Sequence, residues 1–143
     1  MIIRNVIIDD MPGLAQLYYQ FWNTSSDVLK MRNKLTQIQN NSAYILLCAA
    51  EQDHIVGTVM GIVCEELYGD CLPFMLVENM IVDGTSRRMG IGRSLLLELE
   101  NRARETGCRQ ILLVTETNRD DARAFYEALG FHPATNKGYK KTL

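Results

Sequence analysis

The sequence predicts an α/β fold: a single mixed, mostly antiparallel central sheet flanked by helices. Three observations lead there. Two strand-length apolar runs, Tyr44 to Ala50 and Ile55 to Val63, are joined by a short polar stretch, the pattern of a hairpin. Segments with apolar residues at three- and four-residue spacing alternate with further strand-length runs, so helices interleave with strands along the chain. The run Met80-Ile81-Val82 also passes through a basic, glycine-bearing turn directly into a long amphipathic segment.

Taken in order, Ile2 to Ile7 reads as a short strand. Asp9-Asp10-Met11-Pro12 then starts a helix, with a carboxylate at the N-cap and proline in the first turn. Leu14, Leu17, Tyr18 and Phe21 give that helix an apolar face running to about Trp22. Thr24 to Asp27 breaks it and caps a weakly amphipathic second helix that ends near Asn40-Asn41. In the hairpin that follows, Gly57 and Gly61 mark either a bulge or a close backbone approach. Glu65 to Leu72 reads as a loop, and Pro73 opens a long run through Val82.

The next helix carries Ile91, Leu95, Leu99 and Ala103 in one stripe, with Glu98/Arg102 and Glu100/Arg104 as exposed pairs four apart. Gly107 ends it. Gln110 to Val114 is a strand, and Asp120 or Asp121 caps a last helix presenting Ala122, Phe125, Tyr126 and Leu129, closed by Gly130. Strands are expected from Phe131 onward and over Gly138 to Lys141.

The chain has 143 residues, one domain's worth, and is expected to form a single domain over 1–143. Its formal net charge of −2 argues against a general nucleic-acid binder. No apolar run is long enough to span a bilayer, and Arg4, Asp9 and Asp10 interrupt any signal-peptide pattern. Cys48, Cys64, Cys71 and Cys108 lack paired spacing, and neither His54 nor His132 completes a metal motif. The expectation is reduced thiols, no metal, no membrane and a cytoplasmic location.

The chemistry concentrates at Arg87-Arg88-Met89-Gly90-Ile91-Gly92-Arg93. A helix's first turn leaves backbone N–H groups unpartnered at the positive end of its dipole. Gly90 and Gly92 would let a phosphate approach those groups, and Arg87, Arg88 and Arg93 add positive charge. A solvated, arginine-flanked helix start gives the same letters. A Walker loop would need lysine where Arg93 stands, and a dinucleotide fingerprint would need glycine where Leu95 stands.

The remaining pattern, Arg87-x-x-Gly90-x-Gly92 after a strand, resembles the acetyl-CoA loop of the GNAT superfamily of N-acetyltransferases. The element order agrees with that superfamily. Arg123 to Phe131, with Phe125-Tyr126-Glu127 followed by Leu129-Gly130-Phe131, resembles its closing signature. The resemblance implies the GNAT acyl-CoA N-acyltransferase fold and acetyl-CoA as co-substrate. It implies that the backbone of Met80, Ile81 and Val82 pairs with the pantetheine arm, and that the N–H groups of Arg88, Met89, Gly90, Ile91, Gly92 and Arg93 hold the pyrophosphate. The strands on either side of the loop-bearing helix should splay, with the thioester between them. Tyr126 is the family's candidate to protonate the departing thiolate; a core aromatic is the plainer reading of that residue. An asparagine often stands seven residues before this tyrosine. Here that position is Arg119, and Asn118 comes one residue early, so either could hold the loop.

Glu78 lies in the run Met75 to Val82, where a carboxylate is costly unless something needs it. Several family members carry a glutamate there, facing the incoming amine; a salt-bridged or rim-exposed glutamate is the alternative. The implied activity is acetyl transfer to a primary amine by direct attack in a ternary complex, since no cysteine is flanked by histidine as a nucleophile would be. A non-catalytic acyl-CoA-binding or sensing module on the same fold is the competing function. The acceptor, a small-molecule or protein amine, is left open, as is a homodimer. Asp27, Glu65, Glu66 and Asp70 would suit a cationic amine if they faced inward.

Overall fold

The computed structural model describes residues 1–116, 118–133 and 138–143. The chain divides into two compact units, Met1–Leu112 and Leu113–Leu143. The elements are β1 (Ile2–Asn5), α1 (Met11–Trp22), α2 (Val28–Ile38), β2 (Tyr44–Glu51), β3 (His54–Cys64), β4 (Phe74–Val82), α3 (Ile91–Glu105), β5 (Ile111–Leu113) and α4 (Asp120–Glu127), with short 3-10 turns at Ile8–Asp10 and Gly84–Ser86.

The strands form one sheet in sequence order, β1-β2-β3-β4-β5. The first three pairings are antiparallel. At β5 the bonds Arg109 N–H to the Pro73 carbonyl, 2.8 Å, and Met75 N–H to the Gln110 carbonyl, 3.0 Å, ascend together on both strands. That ascent is parallel pairing, reached through the α3 crossover, so the sheet is mixed.

Alternation along β3 assigns the two faces. A Cβ on Gly57 would lie 3.0 Å from Ile91 and Leu95, and one on Gly61 would lie 2.8 Å from Leu99 and Met75. These glycines therefore mark the close approach of α3. A bulge lies beside Gly57 as well, because Ala49 pairs with Gly57 but Ala50 pairs with Ile55. Thr58, pointing the other way, is buried and donates its hydroxyl to the Leu47 carbonyl of β2 at 3.0 Å. On that face Val6, Met11, Leu14, Leu35 and Cys48 form a buried cluster with α1 and α2. Leu14, Leu17, Leu47, Val59, Leu95 and Leu99 are fully buried across both faces, each contributing about 1.5–3 kcal/mol.

β1 is shorter than the sequence implied, and the physical reason is Asp10. The Asp10 carboxylate does not cap α1. It turns back to accept from both Arg4 terminal nitrogens, at 2.7 and 2.8 Å, and from the Ile7 N–H at 2.8 Å, curling the chain into the turn Ile8–Asp10. At α2 the expected cap is present: Asp27 accepts from the Lys30 N–H at 3.0 Å. α3 ends as its sequence implied, Gly107 adopting φ 75° while the Cys108 N–H closes on the Ala103 carbonyl at 2.9 Å.

Within the second unit, Arg119 rather than an aspartate occupies the N-cap of α4. Asp120 and Asp121 sit in the first turn, where a carboxylate still favours the helix dipole; Asp120 pairs with Arg123, and Asp121 lies 3.8 Å from Arg119. Gly130 closes the helix at φ 87°. The strands expected after it do not form at residues 131–133 or 138–143, and the rest of that stretch, residues 134–137, lies outside the described residues.

Candidate functional site

β4 delivers the chain to α3 through a tightly defined turn. Asp83 accepts from the Thr85 N–H at 2.9 Å and caps the 3-10 turn Gly84–Ser86. Arg87 is extended, Arg88 is left-handed at φ 63°, and Gly90 is left-handed at φ 79° as the N-cap of α3. A side chain is strained in that conformation, which accounts for glycine at position 90.

Gly90 makes no side-chain cap, so the N-cap residue offers the first-turn N–H groups of α3 no side-chain acceptor. A Cβ placed on Gly90 would meet nothing within 4 Å; the space above the helix end is open. Arg87, Arg88, Met89 and Arg93 are exposed around it, whereas Ile91 and Gly92 are buried. The two glycines therefore differ: Gly90 faces the opening, and Gly92 belongs to the packed side of the helix. An uncapped helix start, an open approach and three arginines suit a polyphosphate chemically.

Along β4, Ile81 is buried and Met80 and Val82 are half-buried. Thr58 pairs with Ile81 but Met60 pairs with Glu78, so Asn79 and Met80 together face the single β3 residue Val59. This is a β-bulge, with Asn79 left-handed at φ 53°, and it interrupts the ladder beside Met80. No period-2 pattern announces a bulge; the only sequence signal was an asparagine, which tolerates that conformation. Since β5 has three residues and β4 has nine, much of β4 extends past its parallel neighbour.

Glu78, immediately before the bulge, is exposed. The buried carboxylate implied by its apolar neighbours is corrected here: Val77 takes the buried face and Glu78 falls on the opposite one, opposite Met60 in register.

The second unit holds the other residues of interest. Tyr126 is half-buried, tilted against Phe125 at 5.2 Å and Phe131 at 5.8 Å between ring centres. Burial raises its hydroxyl above the ordinary tyrosine value, with Arg119 pulling more weakly downward. Asn118 is exposed in the turn before α4, and Arg119 follows it at the N-cap. Among the acids suggested for an acceptor, Asp27 is engaged in capping and Glu66 lies 3.9 Å from Arg109, while Glu65 and Asp70 are exposed.

Cys48 is buried beside Asp10, and burial and that carboxylate push its thiol up to about 11, away from thiolate formation.

A relative of this chain, the aminoglycoside N(6')-acetyltransferase type 1 of Stenotrophomonas maltophilia, is 26% identical over 132 residues, spanning 90% of this chain and 84% of the relative. Among solved structures, a transcriptional regulator from Bacillus halodurans superposes with a TM-score of 0.90 at 24% identity, covering 99% of both chains. Glucosamine-6-phosphate N-acetyltransferase from Arabidopsis thaliana superposes at 0.87 with 19% identity, covering 98% of this chain and 97% of the other. These two establish the fold. The model of the acetyltransferase (GNAT) family matches residues 10–131, and the chain belongs to that family of acetyl-CoA-dependent N-acetyltransferases.

Proposed function

We propose that residues 1–143 act as one N-acetyltransferase domain that moves acetyl directly to a primary amine of a small cationic acceptor, within a ternary complex. The observation that carries this reading is the open, uncapped start of α3 beneath Arg87, Arg88 and Arg93, which suits the pyrophosphate of acetyl-CoA. The backbone N–H groups from Arg88 to Arg93 hold the phosphates. The backbone of Met80, Ile81 and Val82, beyond the bulge, pairs with the pantetheine arm. Bound acetyl-CoA supplies the acetyl group as an activated thioester.

The chain's own residues manage the protons. Exposed on β4, Glu78 takes the proton from the acceptor ammonium, directly or through a water. Tyr126, whose raised hydroxyl keeps its proton at neutral pH, gives it to the thiolate. Either Asn118 or Arg119 steadies the loop leading into α4. The relative's name favours an aminoglycoside, a polycationic amino sugar, over the other amines. The four free cysteines fit a reducing compartment such as the cytoplasm.

The test is the initial rate of free CoA release with an aminoglycoside, a polyamine, an amino acid and a lysine peptide. The expected result is turnover with the aminoglycoside and intersecting double-reciprocal lines. Parallel lines would mean a covalent acetyl-enzyme, and no release with any amine would defeat the reading.

A further inference from the structure

We propose that Asp83 is a positioning residue for the pyrophosphate seat and that Gln20 of α1 is its anchor. The proposal rests on reading the α3 start as that seat. Asp83 stands directly after Val82 and directly before the turn Gly84–Ser86.

Its two carboxylate oxygens serve different elements. Oδ1 accepts from the Thr85 N–H at 2.9 Å and from the Thr85 hydroxyl, fixing the turn. Oδ2 accepts from Gln20 Nε2 at 2.8 Å, tying that turn to α1. The backbone is held too: the Asp83 N–H donates to the Val56 carbonyl of β3 at 2.9 Å, and the Ser86 N–H donates to the Asp83 carbonyl at 3.0 Å.

Only Arg87, Arg88 and Met89 separate this knot from Gly90, and Arg88 and Gly90 are both left-handed. A stretch that short, with two such residues, adopts its shape only if its entry is fixed. A carboxylate near an anion seat works against the ligand's charge, yet its oxygens can receive donors from two elements at once. Asp83 acts on the ligand through the shape of the turn, not by touching it.

The test compares calorimetric affinity for acetyl-CoA with turnover of a truncated acetyl thioester that lacks the pyrophosphate, S-acetyl-N-acetylcysteamine. Asp83→Ala should weaken acetyl-CoA binding about tenfold or more, while kcat/KM for the truncated thioester falls by less than about twofold. Asp83→Asn, which keeps an oxygen for Thr85 and can reverse the contact to Gln20, should return within about threefold of the parent. Gln20→Leu should weaken binding about threefold and add nothing in the double variant with Asp83→Ala, as a shared contact requires. Far-UV dichroism identifies a variant that fails to fold; if Asp83→Ala is one, Asp83→Asn and Gln20→Leu carry the test. Parental affinity in a folded Asp83→Ala protein, or an equal loss with the truncated thioester, would overturn the role of Asp83. A parent protein that did not bind acetyl-CoA would instead overturn the seat, and this proposal with it.

Discussion

An alkylammonium at pH 7 must lose a proton before its nitrogen can attack, and with a pKa near 10.4 that costs about 4–5 kcal/mol. In the proposed mechanism the base is Glu78, exposed on β4 beside the bulge at Asn79 and Met80. Glu78→Gln should leave acetyl-CoA affinity intact and cut kcat/KM for the acceptor about tenfold or more, recovering in part as pH approaches the amine's own pKa. Steady-state rates across pH read this directly, and a parental rate and profile would make Glu78 structural. Thiol departure needs less help, since a thiol pKa is about 8.5, so Tyr126→Phe should lower kcat by roughly tenfold to a few hundredfold with little change in acetyl-CoA affinity. At this scale the sequence singled out Glu78 as a carboxylate among apolar residues but misjudged its surroundings. An apolar run does not say which of its two faces meets solvent, and the alternation of Val77 and Glu78 becomes readable only once the sheet is known.

Between elements, the tie from β1 to α1 runs through Asp10, and it sets an acid limit on stability. Burial alone would raise the Asp10 carboxyl, but the Arg4 hydrogen bonds, the Ile7 N–H and the Arg4 charge outweigh it and hold it below the usual carboxylate range. A folded-state value below the unfolded one means stability that is complete above the unfolded value, near 3.9, and lost as pH falls through the folded one. Asp10→Ala should therefore destabilise by about 2 kcal/mol at pH 7, the gap from the parent narrowing in strong acid. Urea denaturation at several pH values checks it. The seam between α3 and the sheet makes a second prediction. Gly61→Ala should destabilise by about 1–2 kcal/mol, because its Cβ would press on Leu99 and Met75, which are fully buried and have little room to retreat. The α3 stripe, its two i,i+4 ion pairs (half-buried rather than fully exposed, except at Arg104) and its Gly107 stop were legible because each is local to the helix. The β4 bulge and the bend at Asp10 were not, because each depends on a partner distant in sequence or on a side chain bonding away from its own helix.

For the molecule as a whole, the order of strands and helices from β1 to α4 was readable from periodicity, and the mixed sheet followed from one hairpin and one crossover. No helix among the described residues is long and apolar enough to cross a membrane. What periodicity could not supply was the distinction between the paired glycines, since both stand at a helix start but only Gly90 opens outward. That distinction frames the most direct measurement, a calorimetric titration of acetyl-CoA into Gly90→Asp. Aspartate tolerates a left-handed backbone better than most residues, its side chain would enter open space, and its charge suits the positive end of α3, so the fold should hold. The same charge would occupy the place assigned to the pyrophosphate. Gly90→Asp should fold and bind acetyl-CoA at least about a hundredfold more weakly than the parent, a loss of about 2.7 kcal/mol or more, as expected when a charge repels a ligand phosphate. Parental affinity in folded Gly90→Asp would contradict the assignment of the pyrophosphate to that place.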